Sequence, residues 1–101
     1  MLKENVLKRV SDIIEMAKIV DCKDDYSELI TYIEGLHELI SLDNGENDIK
    51  VSILSQIMFI VGYCRALKKV TDDINWALLE NDIELVGFDY IYARDIMWDE
   101  Y

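Results

Sequence analysis

The fold of this chain is decided by residues 49–69, which read IKVSILSQIMFIVGYCRALKK. The stretch contains no acidic side chain, and its apolar residues recur at three- and four-residue steps, as they do along an α-helix. One apolar stripe is formed by Ile49, Ile53, Ile57, Ile60, Cys64 and Leu67, and a second stripe by Leu54, Met58 and Val61. A helix that is apolar on nearly all sides is normally surrounded by other elements. The sequence therefore predicts a central helix around which the rest of the chain packs.

Almost all of the negative charge lies on either side of this helix. Residues 23–48 contain eight acidic side chains against one lysine, and residues 71–101 contain nine against one arginine, within a net charge of −11. Such a charge disfavours direct binding to nucleic acid or to anionic lipid, and it speeds encounter with basic partners. We therefore expect a positively charged partner protein. A solvated acidic surface that serves only solubility has the same composition and stays open as an alternative.

The size and composition fit a single helical domain over residues 1–101. A chain of this length, 51% hydrophobic and without proline, can bury a core and form uninterrupted helices. Cys22 and Cys64 share no metal-ligand spacing, which favours reduced core positions. The charge-free run at residues 51–64 is shorter than a typical membrane-spanning helix, and the N-terminus lacks a signal-peptide pattern. We expect a cytoplasmic protein, and the abundance of Ile, Lys, Asn and Asp points to a bacterial or phage genome.

Two amphipathic helices are predicted before the central one. Residues 2–21 carry apolar side chains on one face and alternating charges on the other, and residues 25–42 show the cleanest helical periodicity in the chain. A loop follows at residues 43–48. In it, Gly45 is expected to adopt the left-handed conformation that closes a helix, and Asp48 to cap the next one.

The sequence after residue 70 leaves two interpretations open. Thr71 is a good N-cap for a short helix that ends near residue 80. Residues 83–92 fit either a further helix or a short strand, since alternate residues from Val86 to Tyr92 are apolar or aromatic. The predicted fold class is all-α, a single compact bundle of four to five helices around residues 49–69. The alternative is an α+β fold with a strand at residues 83–92.

The chain carries no catalytic motif. Glu34 and His37 have the Glu-x-x-His spacing of helical di-metal sites, but such sites need two copies and two further carboxylates, so a packed core histidine is expected. Phosphate-binding loops and nucleophile elbows are missing from the sequence. The basic residues Arg65, Lys68 and Lys69 are typical of a helix C-terminus rather than of a phosphate track. The sequence thus predicts no enzyme activity, no cofactor and no bound metal.

The candidate binding residues combine carboxylates with large aromatic rings. Aromatic residues are enriched at binding hot spots, and flanking carboxylates steer basic partners. Most candidates lie in the C-terminal third, and two lie on an acidic ridge of the second helix. The candidate site consists of Glu28, Glu38, Asp89, Tyr90, Tyr92, Asp95, Trp98 and Asp99. In this hypothesis the carboxylates stand in for phosphates and the rings supply anchoring contact area.

These features predict a small, acidic, non-enzymatic protein-binding module. Its most concrete form is an inhibitor that occludes the basic, nucleic-acid-binding surface of a partner protein. Immunity proteins against nuclease toxins, and phage proteins that block nucleic-acid-guided defence, share this size and acidity, an analogy of physical type rather than of residues. The alternative is a homo-oligomeric or accessory structural subunit, in which the apolar surface of residues 83–101 forms a homodimer.

Overall fold

A computed structural model describes residues 2–19, 24–70 and 74–96. Within these residues the chain forms four α-helices, α1 (Leu2–Ile19), α2 (Asp24–Ser41), α3 (Asn47–Val70) and α4 (Ile74–Ile96). The prediction of an all-α bundle is confirmed. Residues 83–92 lie within α4, so the strand alternative is wrong. The predicted cap at Thr71 and the predicted core position of Cys22 lie outside the described residues.

Each helix packs mainly against two neighbours. The contacting pairs are α1 with α2, α2 with α3, α3 with α4, and α4 with α1, so α1 and α3 lie diagonally across the bundle. The core fills the space between the four helices and is almost entirely aliphatic. Its fully buried larger side chains include Leu29, Ile33, Leu36, Ile40, Ile53, Ile60, Ile83 and Val86.

The third helix differs from the expected central helix because it occupies one corner of the bundle. Ile53, Ile57 and Ile60 are buried, but Val51 is 62% exposed and Met58 is 74% exposed. With two principal neighbours, a helix buries only the side that faces them. Among the described helices, the segment Asn47–Leu67 is long and apolar enough by composition to cross a membrane, with a mean hydropathy of 1.3. In this bundle the same segment packs against α2 and α4.

The fourth helix is continuous, whereas the sequence predicted a short helix ending near residue 80 and a separate element after it. Asn81 and Asp82 carry only a small helix-propensity cost. Burial of Leu79 and Ile83 on either side of them outweighs that cost. Gly87 also lies within this helix, where a Cβ atom would approach Cγ2 of Ile57 to 3.3 Å.

The loop between α2 and α3 carries the strongest local conformational signal. Gly45 has a φ of 94°, which confirms the predicted left-handed conformation. It lies several residues beyond the end of α2 and therefore shapes the loop rather than the helix terminus. Asp48 lies inside the first turn of α3, where its carboxylate faces the positive end of the helix dipole.

Candidate functional site

A buried carboxylate connects the α2–α3 loop to α4. Asp43 Oδ2 accepts a hydrogen bond of 2.7 Å from the Tyr90 hydroxyl and one of 3.0 Å from Nε of Arg94. Asp43 Oδ1 accepts a third, of 2.9 Å, from the backbone amide of Gly45. The Asp43 side chain is fully buried and that of Arg94 is 7% exposed. Both charges are therefore satisfied inside the protein, as buried charges must be.

The ionisation of this cluster follows from its contacts. Burial alone would raise the pKa of Asp43, but the hydrogen bonds from Tyr90, Gly45 and Arg94, together with the charge of Arg94, hold the pKa below its usual value. Burial, and then the Asp43 carboxylate, raise the pKa of Tyr90. The cluster at neutral pH is therefore a carboxylate, a neutral phenol and a guanidinium.

The same cluster fixes the loop backbone. Nη2 of Arg94 donates a hydrogen bond of 2.7 Å to the Glu46 carbonyl, and Nζ of Lys3 donates to the Asp43 carbonyl over 3.0 Å. Residues from α1 and α4 thus hold the loop from two sides. This arrangement positions the acidic side chains of Glu46 and Asp48, both exposed, at the end of the bundle.

The predicted binding residue Tyr90 belongs to this interior cluster. Its side chain is fully buried, so its ring contributes to the core and to the Asp43 hydrogen bond instead of to an exposed surface. A tyrosine buried with its hydroxyl satisfied is a common structural arrangement. Tyr92, two residues later, is 62% exposed.

The remaining C-terminal candidates are only partly described. Asp89 is half-exposed and forms an ion pair of 2.9 Å with Arg9 of α1. The backbone of Asp95 is helical, while its side chain lies outside the described part of the structure. Trp98 and Asp99 also lie outside the described residues. The structure therefore brings Asp89 and Tyr92 to one side of α4, where both line a cavity of about 230 Å³ that also contacts Arg9.

Other acids on α4 are neutralised within the fold. Arg65 of α3 forms ion pairs with Glu80 and with Glu84, the latter at 2.9 Å. The hydrogen bonds and negative charges of these two carboxylates, Glu80 first, raise the pKa of Arg65. Arg65, which the sequence assigned to a basic helix terminus, thus joins α3 to α4 and offsets part of the charge of α4.

The outward face of α2 carries exposed acids. This helix contains neither lysine nor arginine, and Glu28, Glu34 and Glu38 are exposed. Among the described residues, Glu34 and Glu38 form no ion pair, and they lie one turn apart, with Cβ atoms about 5–6 Å from each other. We call Glu28, Glu34 and Glu38 the α2 acidic face. The sequence identified Glu28 and Glu38 as candidates and assigned Glu34 only to a metal motif.

An aromatic cluster borders the α2 acidic face. The rings of Tyr32 and Phe59 meet edge to face with centroids 4.9 Å apart, and those of Tyr32 and Tyr63 with centroids 5.4 Å apart. The Tyr63 hydroxyl donates a hydrogen bond of 2.8 Å to Glu28 Oε2. Sequence analysis did not select these rings, because Tyr32 lies on α2 and the other two lie on α3. Only their packing places them beside Glu28.

His37 lies between α1 and α2. It is half-buried and lines a cavity of about 190 Å³ together with Ser11, Ile14, Glu15 and Glu34. Within the described part of the chain, no group of three or more His, Cys, Asp or Glu side chains has an arrangement suited to a metal ion.

Cys64 is the other potentially reactive side chain in the described structure. It is fully buried in α3, and burial, followed by the nearby charge of Glu80, raises the pKa of its thiol to about 12. A thiol with so high a pKa is a poor nucleophile at neutral pH. Cys64 is therefore a residue of the hydrophobic core.

No family model, curated protein or solved structure matches this chain. The arguments about function therefore depend on the geometry and charge of the chain itself.

Proposed function

We propose that this protein is a small, acidic, non-enzymatic module that binds a basic surface on a partner protein. In its most concrete form it is an inhibitor that covers the nucleic-acid-binding surface of that partner. The supporting observation is the α2 acidic face, in which Glu34 and Glu38 are exposed and form no ion pair among the described residues. Acids on α4, by contrast, are partly offset by Arg65 and Arg9.

The α2 acidic face has the properties that favour encounter with a cationic surface. Its carboxylates lie on a helix, so little backbone conformational entropy is lost when a partner binds. Lysine and arginine side chains of a nucleic-acid-binding site pair with phosphates, and they pair equally with carboxylates. The Tyr32 ring, one turn from Glu28 on the same helix, adds apolar contact area at the edge of this face, and a combination of apolar and charged groups is common in protein interfaces.

The test is a pull-down from bacterial lysate at low salt with the tagged protein, eluted by stepwise increases in salt. We expect a basic, nucleic-acid-binding protein to be released as salt screens the charges, because the Debye length falls to about 8 Å at physiological ionic strength. The purified partner should then lose affinity for its nucleic acid when this protein is added. A partner that binds nucleic acid equally well with and without this protein would rule out inhibition.

Charge-reversal variants test whether the α2 acidic face is the surface that binds the partner. Glu34→Lys combined with Glu38→Lys should abolish capture of the partner. The matched control is Glu4→Lys with Asp12→Lys, which changes the net charge by the same amount at exposed positions of α1. If the two double variants lose binding equally, net charge rather than the α2 acidic face is responsible.

A second candidate function is a homo-oligomeric or accessory helical subunit. It is favoured by a different observation, the exposed apolar side chains Val51 and Met58 of α3. Light scattering that gives a monomer at both low and high salt would exclude the homo-oligomer.

A further inference from the structure

The outward side of α3 is an apolar, uncharged face on a strongly acidic protein. Val51, Met58 and Phe59 are 62%, 74% and 49% exposed. Between them lie small exposed residues, and the sequence has no charged side chain from Val51 to Cys64. We define the α3 outer face as Val51, Ser52, Ser55, Met58, Phe59, Gly62 and Ala66. Contiguous apolar surface of this kind marks an interaction site in soluble proteins.

The charges at the two ends of this face are opposite in sign. Asp48 is exposed at the N-terminal end of α3, and Lys69 is exposed at its C-terminal end. A second copy laid antiparallel across the first would place each Asp48 beside Lys69 of the partner subunit. A parallel arrangement would instead bring like charges together. The face is therefore complementary to itself under a two-fold axis perpendicular to α3, which is the symmetry of most homodimers.

We infer that the protein forms a homodimer through antiparallel packing of the α3 outer face of two copies. The two-fold axis passes between Met58 and Phe59, so that Met58 contacts Phe59 of the partner subunit. In the same register Ser55 lies opposite Gly62 of the partner subunit, and Val51 opposite Ala66 of the partner subunit. The six positions in these three pairs are uncharged, and the remaining position of the face, Ser52, lies opposite Arg65 of the partner subunit.

Gly62 fits this arrangement, and its contacts among the described residues do not require a glycine. A Cβ atom at this position would meet no other atom within 4 Å, so the fold does not require glycine there. Glycine inside a helix costs about 1 kcal/mol relative to alanine. Opposite a serine of a second copy, its missing side chain allows the two α3 backbones to approach closely.

The flank of α4 enlarges the contact. Phe88 is 68% exposed and Ile91 is 38% exposed, and they belong to the helix that packs beside α3. Specific interfaces bury about 800 Å² on each partner. A contact along α3, about 36 Å long at 1.5 Å per residue, is one helix wide, and the exposed apolar side chains of α4 widen it. The α2 acidic face lies on another helix, so the inference does not depend on the proposed inhibition; it rests on the second candidate function, the homo-oligomer.

The first test is sedimentation equilibrium over a concentration range up to about 100 μM. The wild type should be a dimer at the upper end. Gly62→Gln should raise the dimer dissociation constant by at least about thirtyfold, because a long side chain separates the two backbones. Thr31→Gln, at an exposed position of α2, is the matched control and should leave the constant unchanged. Circular dichroism verifies that both variants stay helical.

A charge swap tests the register. Asp48→Lys and Lys69→Asp should each weaken the dimer about fivefold at low salt, since each creates two like-charge contacts per dimer. The double variant should recover wild-type affinity. Failure of the double variant to recover would overturn the antiparallel register.

Two other outcomes overturn the proposal as a whole. One is a wild type that is monomeric at the highest concentration. If that monomer also co-sediments with phosphatidylcholine vesicles, the face is assigned to lipid. The other is a dimer that Gly62→Gln leaves intact, which would place the interface elsewhere.

Discussion

The hydroxyl of Tyr90 lies 2.7 Å from Oδ2 of Asp43, a fully buried hydrogen bond between residues 47 positions apart. It links the loop between α2 and α3 to the C-terminal half of the last described helix. Arg94, one turn further along α4, binds the same carboxylate oxygen at 3.0 Å. These two contacts from α4 therefore fix the conformation of the loop. They also position the backbone that carries the exposed acids Glu46 and Asp48.

Removing the charge of Asp43 is expected to destabilise the protein strongly. Asp43→Asn removes the carboxylate that Arg94 binds inside the protein, and breaking a buried ion pair in this way costs about 3–5 kcal/mol. Urea unfolding followed by circular dichroism measures the change. Glu46→Gln, which neutralises an exposed acid of the same loop, is the control and should alter the free energy of unfolding by less than about 0.5 kcal/mol.

The Tyr90→Phe substitution measures the contribution of the Tyr90 hydroxyl to the stability of the fold. The ring stays in the core while the hydrogen bond to the carboxylate is lost, so the free energy of unfolding should fall by about 1.5–3 kcal/mol. Tyr92→Phe, on the exposed side of the same helix, should have almost no effect in the same urea titration. Equal effects of the two variants would contradict the assigned role of the Tyr90 hydroxyl.

The depressed pKa of Asp43 makes stability dependent on pH in the acid range. Its folded-state pKa lies below the unfolded value of about 3.9, so the stabilisation is fully present above pH 4 and is lost as pH falls through the folded pKa. The stability advantage of wild type over Asp43→Asn should shrink as pH is lowered from 5 towards 2. The other carboxylates are common to both proteins and cancel in the difference. If the free energies of unfolding of the two proteins differ by the same amount at every pH, Asp43 does not contribute to the pH dependence of stability.

The buried thiol of Cys64 should be nearly inert in the native state. In a Cys22→Ser background, a thiol-specific reagent should react at pH 8 far more slowly with folded than with urea-unfolded protein. The reason is that burial excludes the reagent and raises the pKa of Cys64 to about 12. A native rate close to the unfolded rate would place this thiol at the surface.

Two helical glycines should respond differently to alanine. Gly62→Ala, measured where the protein is monomeric, should stabilise the fold by up to about 1 kcal/mol, because its Cβ meets nothing within 4 Å. Gly87→Ala should lose most of that gain, since its Cβ approaches Cγ2 of Ile57 to 3.3 Å. An Ile57→Leu background lacks that methyl group and should make the Gly87 substitution more favourable. Thermal unfolding of the four variants measures the difference.

Sequence periodicity was sufficient to predict three helices with nearly correct ends, because the first two have one apolar stripe and a polar remainder and the third repeats apolar residues at three- and four-residue steps. It was insufficient for α4, whose apolar residues are spread around the helix. Periodicity cannot distinguish there between core residues such as Val86 and exposed ones such as Phe88. The α4 helix continues through Asn81 because it packs against α1 and α3. Such tertiary contacts are not part of local helix propensity.

The candidate site was predicted only in part for a related reason. Glu28 and Glu38 were identified because an acidic helix face is a local pattern. Tyr90 was assigned to a surface because the sequence pattern of an aromatic residue near carboxylates is the same in two cases. The ring can bind a partner, or its hydroxyl can bind a buried carboxylate such as that of Asp43. Contacts between residues distant in the chain distinguish the two cases.

The sequence by itself determined the helical class, the acidic character and the position of the apolar, acid-free segment that forms most of α3. Helix periodicity and charge are properties of neighbouring residues and survive any arrangement of the helices. Tertiary structure alone decided which acids are neutralised, which rings are buried, and that α3 lies at a corner of the bundle with one side uncovered. These outcomes depend on which helices become neighbours, and that is set by the packing of the whole chain.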